Sequence, residues 1–180
     1  MTLYLNNINY IAVPKNGTIS IKQSFKNYAI NFKLHEHESI DQVKNKSDNP
    51  CIATIRNPED WIISYYKYLK YSHWFINSHW GIKSKDFNKF VSAYINGQHL
   101  WPEPFRKQSD YINGNNNVEY LYRYEDVEKV FIHLENAIGK KVERLHENKG
   151  VKMDIFFDPK LKKKFLDYMK KDVEIYESIQ

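Results

Sequence analysis

The chain has 180 residues, of which 42% are hydrophobic, and its 27 Lys and Arg against 22 Asp and Glu give a formal net charge of +5. That amount of apolar material supports one hydrophobic core, so we expect a single domain over residues 1–180. No run approaches the roughly 20 apolar residues of a membrane span, and the N-terminal residues lack the zones of a secretory signal, so we expect a soluble, cytoplasmic protein.

Short apolar runs between turn residues predict four strands. The runs are Tyr10–Val13, Ala29–Leu34, Cys51–Ile55 and Val118–Tyr124. Cys51–Ile55 is apolar without alternation, which is typical of a strand buried on both faces. It holds the single cysteine of the chain, which we expect to be buried in the core and which excludes an intramolecular disulfide.

Helical patterns follow these strands. They cover Ser20–Tyr28, a helix that starts within Asn57–Asp60 and runs to about Tyr71, and then Asp86–Ile95, Pro104–Ile112, Glu125–Ile138 and Pro159–Ile179. Proline and acidic residues at the start of the second helix, and Gly139 after the fifth, are typical helix boundaries. Strands alternating with helices predict an α/β fold, in which a mostly parallel central sheet is flanked by helices and ligands bind at the carboxyl ends of the strands.

The loop after the first predicted strand has the features of an anion site. It reads Pro14-Lys15-Asn16-Gly17-Thr18-Ile19-Ser20. Gly17 lets backbone amides approach a phosphate closely, the following helix offers N–H donors at the positive end of its dipole, and Lys15 adds a charge. An ordinary strand-to-helix turn with a surface lysine is the alternative. The spacing differs from that of the nucleoside-triphosphate loop, which is Gly, four residues, then Gly-Lys-Ser/Thr.

A second candidate follows the third predicted strand. Arg56 stands directly after this strand, and Ser64 lies about two turns into the next helix. Both side chains could reach one phosphate beside that helix, since guanidinium binds phosphate in a bidentate manner. Alternatively, Arg56 caps the sheet and Ser64 is an ordinary hydroxyl on the helix surface.

Together, the two elements resemble the nucleotide-binding elements of the sulfotransferases that use 3′-phosphoadenosine 5′-phosphosulfate (PAPS). The loop is similar to their Pro-Lys-x-Gly-Thr loop for the 5′-phosphosulfate, and Arg56 with Ser64 is similar to their Arg-x-Pro…Ser element for the 3′-phosphate. The resemblance extends over nearly the whole chain and is nearest to the carbohydrate sulfotransferases of bacteria, viruses and the Golgi. It includes the stretches Phe105–Tyr111, Tyr122–Val127, His146–Gly150 and Asp172–Tyr176.

This resemblance implies a sulfotransferase fold of the P-loop NTPase type. It also implies a transferase that moves a sulfuryl group from PAPS to a hydroxyl or amine of a small-molecule or glycan acceptor, with PAP as the product. No metal ion and no nucleic-acid partner are expected. Lys15 would be catalytic as well as donor-binding. The implied donor-binding residues are Lys15, Asn16, Gly17, Thr18, Ile19, Ser20, Arg56, Ser64, Lys149 and Gly150.

The polar segment Leu34–Ser39 is the candidate source of a general base. Imidazole titrates near neutral pH and can take a proton from an attacking hydroxyl. His37 is preferred, because its position fits the stretch in which related enzymes carry their base, while His35, Glu36 and Glu38 remain rivals. A metal site formed by the two histidines and a solvated polar loop are the other interpretations.

The aromatic residues from Tyr65 to Trp101 are expected to pack mostly in the core, with acceptor recognition placed between Ser72 and Trp101. Two other functions stay open. One is a kinase-like, nucleotide-dependent phosphotransferase, which the loop spacing and the lack of a clear Mg²⁺-binding acid disfavour. The other is a non-catalytic module that binds anions or glycans, which the net charge alone supports.

Overall fold

A computed structural model describes residues 2–32, 37–71, 86–97, 106–145 and 153–179. Within these ranges five strands form one sheet. The strands are β1 (Thr2–Tyr4), β2 (Asn9–Ile11), β3 (Asn31–Phe32), β4 (Cys51–Ile55) and β5 (Tyr120–Arg123). Their order across the sheet is β3-β1-β2-β4-β5.

The sheet is mostly parallel. β2 pairs with β4 and β4 with β5 in parallel, whereas β1 is antiparallel to both β2 and β3. Four of the five strands therefore run in one direction, and β1 alone runs against them. This confirms the predicted α/β fold with a mostly parallel sheet.

Strand β1 was not predicted, and it changes the neighbours of the second predicted strand. It forms a hairpin with β2 that is closed by a hydrogen bond from Leu5 N to Ile8 O, 3.0 Å long. Because β1 lies between β2 and β3, the second predicted strand, which corresponds to β3, pairs with β1 and not with β2.

Eight α-helices lie in the described ranges. They are α1 (Thr18–Phe25), α2 (Ile40–Lys44), α3 (Pro58–Tyr71), α4 (Phe87–Ile95), α5 (Ser109–Ile112), α6 (Val127–Ile138), α7 (Pro159–Tyr168) and α8 (Lys170–Ser178). Short 3₁₀ helices occupy Lys26–Tyr28 and Tyr124–Asp126. As predicted, α6 ends at Gly139, which adopts φ 69°. The predicted C-terminal helix is divided at Met169, and α2, which starts at a capping box of Ser39 and Gln42, was missed.

Both faces of the sheet are covered, because side chains alternate along β2 and β4. Tyr10 and Ile52 face α1 and α6, while Ile11 and Ala53 face the side that carries α2 and α5. A third apolar cluster joins α3, α4 and α7 around Trp61. As predicted, Cys51 is buried. In the part of the chain described, no helix has the length and apolar character needed to cross a membrane.

Candidate active site

The loop between β2 and α1 is tightly bent. Both Lys15, with φ 67°, and Gly17, with φ 70°, lie in the left-handed region. A Cβ atom at Gly17 would come within 2.8 Å of Cε2 of Tyr124, so this position requires glycine for space as well as for conformation. The loop then enters α1, whose first helical hydrogen bond runs from Ile21 N to Gly17 O. The amides of Thr18 and Ile19 precede that bond, where helices carry unpaired donors.

Asn16 anchors the loop to the sheet. Its buried Nδ2 donates to the carbonyl oxygen of Thr54, 2.8 Å away, and to Oε1 of Gln108, 2.9 Å away. The Thr54 hydroxyl in turn donates to the carbonyl oxygen of Asn16. Both protons of the Asn16 amide are therefore used inside the protein, so a ligand contact from this residue would come from its backbone N–H.

Arg56 meets the loop from the end of β4. Its Nη1 lies 3.5 Å from the carbonyl oxygen of Lys15, and its guanidinium carbon lies 4.7 Å from the centre of the Tyr124 ring. The buried Nε of Arg56 has no hydrogen-bond partner among the described residues. Lys15 and Arg56 therefore lie at the same edge of the sheet, beyond the carboxyl ends of the neighbouring parallel strands β2 and β4.

The two positive charges are close together. Burial, and after it the charge of Arg56, lowers the pKa of Lys15 to about 8. The Lys15 ammonium lies 4.2 Å from the centre of the Tyr68 ring. Within the described ranges no carboxylate forms an ion pair with either Lys15 or Arg56. Two neighbouring cations that lack an internal counter-ion favour the binding of an external anion.

Ser64 shares a helix face with two residues that contact the loop. Trp61 Nε1 donates to the carbonyl oxygen of Pro14, 2.8 Å away, and Tyr68 packs under Lys15. Positions 61, 64 and 68 follow the i, i+3, i+7 spacing of one helical face. The half-buried Ser64 therefore lies on the face of α3 that is turned toward the loop.

His37 is held beside the start of the loop. Its Nδ1 lies 2.7 Å from the carbonyl oxygen of Ala12. A carbonyl oxygen only accepts, so Nδ1 carries the proton and Nε2 of the neutral ring carries the lone pair. Burial, together with nearby positive charge that includes Lys22, lowers the pKa of His37 to about 4. The ring is therefore neutral at physiological pH.

Among the rival bases, Glu38 is engaged elsewhere. Its carboxylate accepts a hydrogen bond from the Tyr4 hydroxyl and forms an ion pair with Lys46. Although burial opposes it, the hydrogen bond from Lys46 holds the pKa of Glu38 below its usual value. His35 and Glu36 lie outside the described residues, as do the predicted donor-binding residues Lys149 and Gly150.

The remaining loop residues differ in exposure. Thr18 is buried, Ile19 is exposed and Ser20 is half-buried. No group of three His, Cys, Asp or Glu side chains that could hold a metal ion is present within the described ranges.

Three further residues build this site but received no role from the sequence. Gln108 bridges the loop and Arg56, Tyr124 packs between Gly17 and Arg56, and Asp172 holds the backbone of Gln108. All three fall in stretches that were singled out in the sequence, Phe105–Tyr111, Tyr122–Val127 and Asp172–Tyr176. Those stretches were the signal that could have pointed to them.

No model of a protein family matches the chain, and no curated protein is similar to it.

Proposed function

We propose that the chain is a sulfotransferase that moves a sulfuryl group from PAPS to a hydroxyl or amine of an acceptor, with a carbohydrate as the favoured acceptor class. The observation that carries the proposal is the meeting of Lys15 and Arg56. Both are cations from separate sequence elements, at the carboxyl ends of adjacent parallel strands, without a described carboxylate partner. A donor with a 5′-phosphosulfate and a 3′-phosphate needs two such anion-binding elements.

The residues fit the donor in three respects. The buried Nε of Arg56 has no partner in the part of the chain that the structure describes, and a ligand phosphate would supply one. The glycine at position 17 keeps the loop backbone open in a place where Tyr124 leaves no room for a side chain. The amides at the start of α1 add donors at the positive end of a helix. In this assignment the loop binds the 5′-phosphosulfate, and Arg56 with Ser64 binds the 3′-phosphate. Lys149 and Gly150 would close over the nucleotide.

The chemistry requires alignment and charge stabilisation. The bond between the acceptor oxygen or nitrogen and sulfur forms as the bond from sulfur to the bridging phosphate oxygen breaks, and the electron pair leaves with the phosphate. Lys15 and the loop amides stabilise the negative charge on that leaving oxygen. Nε2 of His37 takes the proton from the acceptor. Negative charge from a bound donor raises the pKa of this imidazole, which brings it closer to the range of an effective base.

The test is a comparison of PAP with AMP by isothermal titration calorimetry. The parent protein should prefer PAP, and Arg56→Ala should remove most of that preference, since a lost charge-assisted contact costs about 1.5 to 3 kcal/mol, or roughly ten- to a hundredfold in affinity. Ser64→Ala should reduce the preference less, whereas Ser92→Ala, on α4, should leave it unchanged.

The same titrations separate the rival functions. A kinase-like enzyme would prefer ATP with Mg²⁺ over PAP. A non-catalytic glycan or anion binder would bind a heparin fragment with a steep salt dependence and no need for a 3′-phosphate. An Arg56→Ala protein that prefers PAP as strongly as the parent would contradict the assignment of the 3′-phosphate to Arg56.

A further inference from the structure

The side chain of Gln108 joins the two anion-binding elements to each other. Its Oε1 accepts hydrogen bonds from Asn16 Nδ2 at 2.9 Å and from the backbone N–H of Arg56 at 3.0 Å. Its Nε2 donates to the carbonyl oxygen of Arg56 at 2.9 Å. Gln108 is fully buried, so these bonds are not exchanged with water.

The pairing with Arg56 extends the sheet by one residue. The last residue of β4, Ile55, pairs with Arg123 of β5, and Arg56 lies beyond this ladder. Gln108 supplies from its side chain both the acceptor and the donor that a neighbouring strand would otherwise offer. The backbone of Arg56 is thereby fixed, which restricts where its guanidinium can point.

Gln108 is itself held from the C-terminal part of the chain. The carboxylate of Asp172 in α8 accepts from Gln108 N at 2.9 Å and from Ser109 N at 3.0 Å. Asp172 is fully buried as well, and together with the Gln108 amide it connects α8 and α5 with β4 and the loop.

The residue type is also informative. A neutral amide can donate to the carbonyl oxygen of Arg56, which a carboxylate cannot do. A glutamate in this place would also supply a negative charge next to Arg56 and compete with a ligand phosphate. The amide therefore orders the site while leaving its cations available.

From these contacts we propose that Gln108 is a positioning residue of the donor site, which sets Arg56 and the Lys15 loop at the separation that one nucleotide requires. The proposal rests on the proposed function, because it takes PAP as the ligand. Gln108 acts through Arg56 and Asn16, and it need not touch the nucleotide.

The test is a double-mutant cycle on PAP affinity with Gln108→Leu and Arg56→Ala. Gln108→Leu alone should weaken PAP binding by about tenfold and should narrow the preference for PAP over AMP. In the Arg56→Ala protein the same change should cost less than about threefold, since residues that act through one contact are not additive. A purely structural effect would instead weaken PAP by equal factors on both backgrounds, and that result would overturn the proposal.

A matched control separates positioning from general loss of stability. Asn9→Leu removes another fully buried amide, which lies at the opposite end of β2 and donates to Ser47 and Asn49. It should lower the unfolding temperature but leave PAP affinity within about twofold of the parent. An equal loss of PAP affinity in Asn9→Leu would also count against the positioning role.

If Gln108→Leu does not fold, Gln108→Glu, which keeps both acceptor bonds, takes its place in the cycle and should weaken PAP by at least as much, because its charge engages Arg56. Unchanged PAP affinity in this variant would overturn the proposal. The proposed function fails in a different way: the parent would then show no preference for PAP over AMP, or Arg56→Ala would not reduce it.

Discussion

At the scale of single residues, Lys15 couples anion binding to pH. Its pKa of about 8 in the free protein means that the ammonium begins to lose its proton just above physiological pH. A bound anion favours the charged form, so the affinity for PAP should be constant below pH 8 and should fall above it. The limiting slope for one proton is about tenfold per pH unit. Titration calorimetry between pH 7 and 10 measures this slope.

Lys15→Arg is the control for that pH dependence. Guanidinium keeps its charge throughout this range, so PAP affinity in the variant should not follow the same decline. Parallel curves for the parent and the variant would show that a group other than Lys15 is titrating.

For His37 the geometry predicts an effect on turnover and not on donor affinity. The Ala12 carbonyl fixes the tautomer that leaves Nε2 free to accept a proton. His37→Ala should lower turnover with a working acceptor by about a hundredfold or more, with PAP affinity little changed. His133→Ala, which removes a half-buried histidine paired with the Tyr122 hydroxyl, is the control. Near-normal turnover in His37→Ala would move the base to His35 or Glu36.

The proximity of Lys15 and Arg56 could be predicted from the sequence, because Arg56 directly follows β4, Lys15 lies in the loop after β2, and parallel strands bring such positions to one edge. The role of Gln108 could not. Its partners Asn16 and Arg56 are 92 and 52 residues away, and no local pattern reports contacts of that range. The role of Tyr124 could not be predicted either, since its packing against Gly17 depends on how β5 lies beside β4.

At the scale of elements, each described strand except β1 and each described α-helix except α2 overlaps a predicted one, although α7 and α8 were predicted as a single helix. Helix α3 starts within the predicted Asn57–Asp60 and ends at the predicted Tyr71, because proline and acidic residues mark its first turn. Strand β1 is stabilised by pairing with β2 and β3, and the five-residue helix α2 is stabilised by packing against the sheet rather than by its own sequence pattern. The break between α7 and α8 at Met169 was also missed, because no glycine or proline in the sequence marks it.

The junction between the loop and β5 gives a prediction at this scale. Gly17 and Gly97 have φ values of 70° and 64°, but a Cβ atom would meet Tyr124 at Gly17 and nothing within 4 Å at Gly97. Gly97→Ala should lower the free energy of unfolding by about 1 kcal/mol from backbone conformation alone. Gly17→Ala should lower it by at least about 1 kcal/mol more, because the tyrosine ring must move. Thermal unfolding of both variants measures the difference.

The same two variants also separate an effect on stability from an effect on PAP binding. PAP affinity should fall in Gly17→Ala and stay unchanged in Gly97→Ala. Equal destabilisation of the two variants would mean that the Tyr124 ring can move aside at little cost and does not hold the loop.

At the scale of the whole molecule, the candidate site joins distant parts of the chain. The loop follows β2, Arg56 follows β4, Gln108 precedes α5, and Asp172 lies in α8. A ligand that binds this assembly and not the unfolded chain stabilises all of it at once.

PAP at about a hundred times its dissociation constant should therefore add about 2.7 kcal/mol, or roughly 5 to 10 °C in unfolding temperature for a chain of this size. Far-ultraviolet circular dichroism and tryptophan fluorescence should report one coincident transition, with and without PAP. Two transitions, of which PAP shifts only one, would contradict the prediction of a single domain over residues 1–180.

The left-handed backbone of Lys15 has a consequence for how affinity is divided between folding and binding. A non-glycine residue in this region costs about 1 to 2 kcal/mol. The bonds from Trp61 to Pro14 and from Arg56 to Lys15 lie within the protein and hold the bend. That cost is met when the chain folds, so the loop is pre-organised and an arriving anion loses no binding free energy in bending it. The strained backbone of Lys15 therefore lowers the free energy of unfolding of the protein, and in exchange the anion binds with higher affinity.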